Sequence, residues 1–191
     1  MEKIVLASAS PRRRELLAQI GITSPIIAPA DADESVFSGL APGEMVVALA
    51  ELKAEASAKN FPGDHIVIGS DTVVVADGAV CGKPRSREEA EEMIASLSGR
   101  SHTVLTGLCV LQGNIKKTFL GKAEVWFREL SKSEISGYCR TNEPYDKAGA
   151  YGIQGLAAAF AEKIDGDYYS IVGLPLCALA RILSDMGVSL F

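Results

Sequence analysis

Histidine is nearly absent from this 191-residue chain: His65 and His102 are the only two. The four cysteines, Cys81, Cys109, Cys139 and Cys177, lie far apart and form no Cys-x-x-Cys pair. Both facts argue against a structural zinc site, and reduced thiols in a cytosolic protein are the simplest account of the cysteines. A basic excess is also missing. The formal net charge is -5, which argues against general affinity for nucleic acid or an acidic membrane surface. No stretch approaches the roughly 20 apolar residues of a membrane span, and the apolar run Ile4–Ala7 is too short for a signal peptide. Aromatic residues make up only 6%, yet 48% of the chain is hydrophobic, which suits a folded α/β protein and not a disordered one. There is no internal repeat, linker or low-complexity tract, so the chain reads as a single domain over 1–191, large enough for two small lobes.

What is present centres on residues 66–84, IVIGSDTVVVADGAVCGKP. β-branched residues run on both sides of Asp71, and Asp77-Gly78 supplies a hairpin signal, because Asp-Gly readily takes the positive φ angles of a tight turn. A carboxylate thus interrupts a strand that otherwise reads as buried. Burying an unpaired carboxylate costs roughly several kcal/mol, so Asp71 is expected to be paired, to bind a metal or to face a cleft. Capping of a neighbouring amide at the strand end is the plainer alternative.

The N-terminal stretch reads as a strand over Lys3–Ser8, then a helix with Ser10 at the N-cap and Pro11 at its first position, ending at Gly21. Arg12, Arg13 and Arg14 occupy its first turn. Cations there oppose the helix dipole by about 0.3–1 kcal/mol each. Arg14 is read as solvated. Arg12 and Arg13, with Ser8, Ser10 and the free amides of the helix start, are read as an anion cradle. It is not a P-loop: Gly82-Lys83 is followed by Pro84, and position 77 is Asp where that motif needs Gly.

A second strand is expected over Ser24–Ala30, followed by Asp31, Asp33 and Glu34 in a loop. Such acids form either a solvated loop or a metal site, with Glu34 the candidate ligand. A helix follows over Pro42–Lys59. Lys53 falls on the stripe of Val46, Leu49 and Ala50, so it either snorkels outward or points into a polar cleft. Beyond the central stretch, Ser86 with Glu89 and Ser131 with Glu134 read as capping boxes that open two helices. Arg100–Gln112 and Lys116–Phe127 read as antiparallel strands around Gly113-Asn114. The loop Thr141–Gly155 carries Tyr151, Gln154 and several glycines, which allow close approach to a ligand. Its spacing, and the helix before it, exclude a dinucleotide fingerprint. Ala158–Ile164 and Tyr168–Val172 are expected to form a hairpin around Asp165-Gly166-Asp167, and Pro175–Met186 the last helix. Strands alternate with helices but hairpins intrude. The expected fold is therefore α/β, a mixed, twisted sheet with flanking helices in two lobes around a cleft.

Six segments taken together resemble the Maf family of nucleoside triphosphate pyrophosphatases. They are Ser8-Ala-Ser10-Pro-Arg12-Arg13, Lys53-Ala54, Gly69-Ser-Asp71-Thr72, Gly82-Lys83-Pro84, Leu97-Ser-Gly-Arg-Ser-His102, and Asp146-Lys-Ala-Gly-Ala-Tyr151-Gly-Ile-Gln154-Gly. The resemblance spans essentially the whole chain, in the family's order. It implies a fold similar to inosine triphosphate pyrophosphatases. It also implies a cytoplasmic hydrolase that converts a nucleoside triphosphate to monophosphate and pyrophosphate with Mg²⁺ or Mn²⁺. A homodimer is a further implication. The last segment resembles the branch acting on dTTP and UTP, whereas the branch acting on 7-methyl-GTP differs there. The resemblance places the proton acceptor on Asp71 and the specificity positions on Arg12, Thr72 and Gln154. A non-catalytic nucleotide-binding regulator of septum formation is the alternative that the family leaves open.

Under that reading, water attacks phosphorus in line with a pyrophosphate leaving group, and catalysis is mostly positioning and charge neutralisation. Arg12 and Arg13 suit the triphosphate, and Lys53 and Lys83 add point charges. Asp71 binds the metal, takes the proton from water, or both, with Glu34 as a second carboxylate near the metal. Thr72 hydrogen-bonds the nucleotide. Gln154 offers a donor and an acceptor together, which match a pyrimidine edge.

Overall fold

Two strand–helix–strand crossovers build the first part of the chain. A computed structural model describes residues 3–29, 37 and 39–190. Strand β1 (Ile4–Leu6) is followed by helix α1 (Pro11–Gln19) and strand β2 (Ile26–Ile27), which lies parallel to β1 with Val5 opposite Ile26. Helix α2 (Pro42–Ala58) then leads to β3 (Ile66–Ala76), parallel to β1 on its other side with Ile4 opposite Ile66. Parallel neighbours need such crossovers, and a helix supplies each one.

The Asp77-Gly78 turn closes a true hairpin. Asp77 has φ 49° and Gly78 φ 79°, and β4 (Ala79–Cys81) folds back antiparallel on β3, with Val75 opposite Val80. After α3 (Arg87–Leu97), strands β5 (Ser101–Gln112) and β6 (Ile115–Phe127) are sheet neighbours joined at Gly113-Asn114. Helix α4 (Lys132–Cys139) precedes a loop with short 3₁₀ turns at Pro144–Asp146, Ala148–Ala150 and Leu156–Ala159. Strand β7 (Ala161–Gly166), helix α5 (Tyr168–Val172) and helix α6 (Leu176–Asp185) complete the order. The seven-stranded sheet runs β2-β1-β3-β5-β6-β7, with β4 on β3. It is mixed, as the interleaved helices and hairpins of the sequence require.

The chain divides into two compact units. One comprises Met1–Asp71, Thr106–Gly121 and Gly173–Phe191, and the other Thr72–Leu105 and Lys122–Val172. In the first, α2 lies on the strands through a core of small residues, Val5, Ala7, Ala50, Ala54, Val67 and Cys109. Helix α6 buries Leu176, Leu179 and Leu183, the i, i+3, i+7 spacing of one helical face. In the second, Phe127 is 1% exposed and packs edge-on against His102, Tyr151 and Phe160. Arg87 on α3 also donates to Ser136 on α4 at 2.7 Å.

Three local expectations need correction. The residues after Gly166 are not the second arm of a hairpin: Tyr168–Val172 is helical, and β7 pairs antiparallel with β6, Val125 opposite Ile164. The cause is Asp167. Its carboxylate accepts the Tyr169 amide at 3.1 Å and the Ser170 hydroxyl at 2.5 Å, which starts a helix where a turn residue would have returned the strand. At α3 only half of the capping box forms. Ser86 accepts the Glu89 amide, but the Glu89 carboxylate reaches past it to the Arg85 amide at 2.7 Å. The box at Ser131 and Glu134 is reciprocal, as read. Finally, Ser10 occupies the N-cap of α1 but makes no side-chain cap bond there; its own amide donates to Ser8 Oγ at 3.2 Å.

Candidate active site

The loop between β1 and α1 is held from inside by Arg13. Its Nε donates to the Gly173 carbonyl at 2.8 Å, and one terminal nitrogen donates to Ser8 Oγ at 3.0 Å. Ser8 is buried, so the Ser8 hydroxyl gathers two donors, Arg13 and the Ser10 amide. Arg13 therefore tethers the loop as well as bringing positive charge to the helix start. Arg12 is half-buried and Arg14 is exposed, which matches the reading of Arg14 as a solvated side chain.

Lys53 does not snorkel outward. Its Nζ donates to Asp71 Oδ1 at 2.5 Å, and the two side chains are 17% and 15% exposed. The carboxylate that interrupts β3 is thus paired, as its burial demands. What brings the pair together is the seating of α2 on the sheet. A Cβ added at Gly69 would collide with the Ala50 carbonyl and lie 2.9 Å from the Ala54 amide. One added at Gly107 on β5 would collide with the Val46 carbonyl and lie 2.7 Å from the Val47 amide. Helix backbone touches strand backbone at both places, which only glycine permits. Lys53 lies one helical turn beyond Ala50, and Asp71 lies two residues beyond Gly69, on the same face of the strand. Between Gly69 and Asp71 in sequence, the buried Ser70 hydroxyl shares its one hydrogen between the carbonyls of Gly107 and Gly173, at 2.8 and 2.9 Å. Gly173 therefore accepts from both Ser70 and Arg13.

In the second unit the exposed Lys83 follows β4, in Gly82-Lys83-Pro84. The Gly82 carbonyl accepts the Gly149 amide at 3.0 Å, so the segment that carries Lys83 is fastened to the loop that carries Gln154. Gln154 is exposed and sits in a tight turn closed by the Gly155 amide on the Gly152 carbonyl at 3.0 Å. Before the turn, the buried Tyr151 hydroxyl meets His102 Nε2 at 2.8 Å. Burial alone pushes the His102 pKa down to about 4 and raises that of Tyr151, so both are neutral at pH 7. After the turn, the Glu143 carboxylate accepts the amides of Leu156 and Ala157 at 2.8 and 3.2 Å and the Tyr138 hydroxyl at 3.1 Å.

The first unit thus holds Ser8, Ser10, Arg12, Arg13, Lys53 and Asp71, and the second holds Thr72, Lys83 and Gln154. Glu34, with Asp31 and Asp33, lies outside the described residues. Sequence reasoning missed Gly107, Ser70 and Glu143. A lone glycine inside a strand of bulky residues was a usable signal for close backbone approach, at Gly107 as at Gly69. Glu143 gave none, because the two amides it accepts arrive from a turn later in the chain. Among the described residues no three His, Cys, Asp or Glu side chains cluster as a metal site, and no helix is long and apolar enough to cross a membrane.

Residues 3–186 match the family model described as Maf-like protein. The chain is 48% identical over 191 residues to a dTTP/UTP pyrophosphatase of Symbiobacterium thermophilum, covering 100% of this chain and 97% of the relative. It is 44% identical over 188 residues to a dTTP/UTP pyrophosphatase of Bacillus anthracis, covering 98% and 97%. Among solved structures, the Staphylococcus aureus Ham1 protein is similar at TM-score 0.46 and 19% identity, over 66% of this chain and 72% of that one.

Proposed function

The chain belongs to the Maf family, and from that membership we propose that it is a nucleoside triphosphate pyrophosphatase acting on dTTP and UTP, which releases the monophosphate and pyrophosphate. The observation that carries this reading is the full-length similarity to dTTP/UTP pyrophosphatases at 44–48% identity. Each chemical type that the reaction needs is also present in the chain: a mostly buried carboxylate, cations and a turn-mounted amide.

Asp71 is the proton acceptor of this proposal. It takes a proton from the attacking water, a role worth about 10²–10⁴-fold in rate. Lys53 holds that carboxylate in one orientation and adds positive charge toward the phosphates. Arg12, Arg13 and Lys83 neutralise further phosphate charge, Arg12 as a planar fork and Lys83 as a point charge. Ser8 and Ser10 offer hydroxyls to the same anion. Thr72 and Gln154 contact the nucleoside, Gln154 through an amide that pairs with the N3–H and a carbonyl of uracil or thymine.

A divalent cation, Mg²⁺ or Mn²⁺, belongs to the proposal. Mg²⁺ sites commonly use one or two carboxylates and complete their shell with substrate phosphates and water. Asp71 fits such a donor set, with Glu34 as the second carboxylate. When bound, the cation would supply Lewis-acid polarisation and charge neutralisation at the phosphates. We further propose a cytoplasmic location, in keeping with four free cysteines, and a homodimer by family resemblance.

The test is pyrophosphate release by the purified chain from a panel of canonical and modified nucleoside triphosphates with Mg²⁺, beside Asp71→Asn. Turnover of dTTP and UTP that Asp71→Asn removes is the expected result. A preference for 7-methyl-GTP would overturn the substrate, and binding without turnover would overturn the reaction.

A further inference from the structure

Gln154 projects from a four-residue turn, Gly152-Ile153-Gln154-Gly155, whose two ends are anchored differently. At the leading end Tyr151 is buried and bonded to His102 at 2.8 Å, and Ile153 is 9% exposed. At the trailing end the apolar anchor is smaller: Ala157 is fully buried, and the next large buried side chain is Phe160. Leu156 is 61% exposed, and the side chain that accepts from the amides of Leu156 and Ala157 is Glu143. Its two carboxylate oxygens split between adjacent amides, Oε2 on Leu156 and Oε1 on Ala157, and Oε1 also accepts from Tyr138. Lys147 reaches back to the Glu143 carbonyl at 2.6 Å, which fixes the backbone from which the carboxylate springs. The fit is close: a Cβ at Gly155 would collide with that carboxylate, at 2.5 Å from its carbon.

We propose that Glu143 is a positioning residue for base selection: by holding the amides of Leu156 and Ala157 it fixes the direction in which Gln154 presents its amide to the pyrimidine. This rests on the reading of Gln154 as the base-contacting residue. The argument is geometric. A side-chain amide discriminates bases only if its donor and acceptor are held in place, because a rotatable or shifting amide pairs with a cytosine edge as readily as with a uracil edge. The turn has a rigid leading end and a trailing end secured by two hydrogen bonds to one carboxylate. Glutamine at position 143 would reach as far but could accept through only one oxygen, and its NH₂ would then face a donor. The trailing end would loosen while the aromatic cluster stayed intact.

The experiment is a double-mutant cycle with Glu143→Gln and Gln154→Ala, in which kcat and KM for UTP and for CTP are measured and folding is checked by thermal unfolding. Expected for Glu143→Gln is a fall in kcat/KM for UTP on the order of 10- to 100-fold, mostly in KM, with the UTP-to-CTP preference compressed. Gln154→Ala compresses the preference similarly, and the double variant is no worse than Gln154→Ala. Preserved preference in Glu143→Gln beside a compressed one in Gln154→Ala, or additive losses in the double variant, would overturn the inference and leave the reading of Gln154 standing. An unchanged preference in Gln154→Ala would overturn both. If Glu143→Gln does not fold, Tyr138→Phe removes a single donor to the same carboxylate without changing the ring, and the same compression in smaller degree is expected. An unchanged preference there would count against the inference.

Discussion

Lys53 on α2 donates to Asp71 on β3 across 2.5 Å, with both side chains less than one-fifth exposed. Removing either member alone leaves a mostly buried charge, which for fully buried pairs costs about 3–5 kcal/mol and less where water still reaches the group. Lys53→Met is therefore expected to lower both stability and activity. Asp71→Asn is expected to lower kcat by about 10²–10⁴-fold. Combining the two should restore part of the stability lost in Lys53→Met and none of the activity. Urea unfolding beside pyrophosphate release reads both quantities. A double variant as unstable as Lys53→Met would show that the pair contributes little to the fold.

Gly69→Ala should act at a distance from its own chemistry. The added methyl collides with the α2 backbone at Ala50, and overpacking of this kind typically costs about 1–3 kcal/mol, occasionally more. Because α2 carries Lys53, kcat should fall even at temperatures where the variant remains folded. Ser96→Ala, on an exposed residue of α3, is the control and should change neither. Full activity in folded Gly69→Ala would separate the seating of the helix from the placement of the pair.

His102 makes stability depend on pH in a stated direction. Burial holds its pKa at about 4 in the folded chain, against 6.5 when exposed. Below pH 6.5 the unfolded chain binds a proton that the folded chain refuses, so the contribution present at neutral pH is lost as pH falls from 6.5 through 4. At 1.36 kcal/mol per pH unit the loss amounts to about 3 kcal/mol. His102→Gln keeps a polar partner for Tyr151 and does not titrate. Its unfolding free energy should vary less steeply over that window than that of the parent chain. Parallel curves would remove His102 from the account.

The serines at helix starts should separate into two classes. Ser131 caps α4 in a reciprocal box with Glu134, and Ser131→Ala is expected to cost about 1 kcal/mol without affecting turnover. Ser10 makes no cap bond through its side chain, so Ser10→Ala should cost less stability and raise KM for the triphosphate. Thermal unfolding and steady-state kinetics on both variants check the contrast.

Local signals were legible where they needed no partner from elsewhere. The Asp77-Gly78 hairpin and the Ser131 box follow from a few adjacent residues and form as read. The mixed sheet was legible from the alternation of periodicities. Lys53 was conspicuous as a charge on an apolar stripe, but its choice of Asp71 depends on α2 crossing β3 at Gly69, a tertiary fact. The misread region after Gly166 shows the same limit. Asp165-Gly166-Asp167 is compatible with a turn or with a helix start, and the Asp167 carboxylate decides for the helix once the Asp167 amide is tied to Lys122 on β6. Glu143 was invisible for that reason too, since nothing near it in sequence indicates that the amides of Leu156 and Ala157 will arrive at its carboxylate.

The contacts of α2 at Gly69 and Gly107 have a bearing on how such a chain can diverge. Where a helix rests on side chains, exchanges such as leucine for isoleucine shift it by fractions of an ångström, and those shifts accumulate over generations of neutral replacement. Here main chain meets main chain at two points. The lysine above is registered against the strand by atoms that no ordinary substitution can resize. The surrounding core is thereby released to drift in composition, while the spacing between the ammonium and the carboxylate is inherited with the backbone itself.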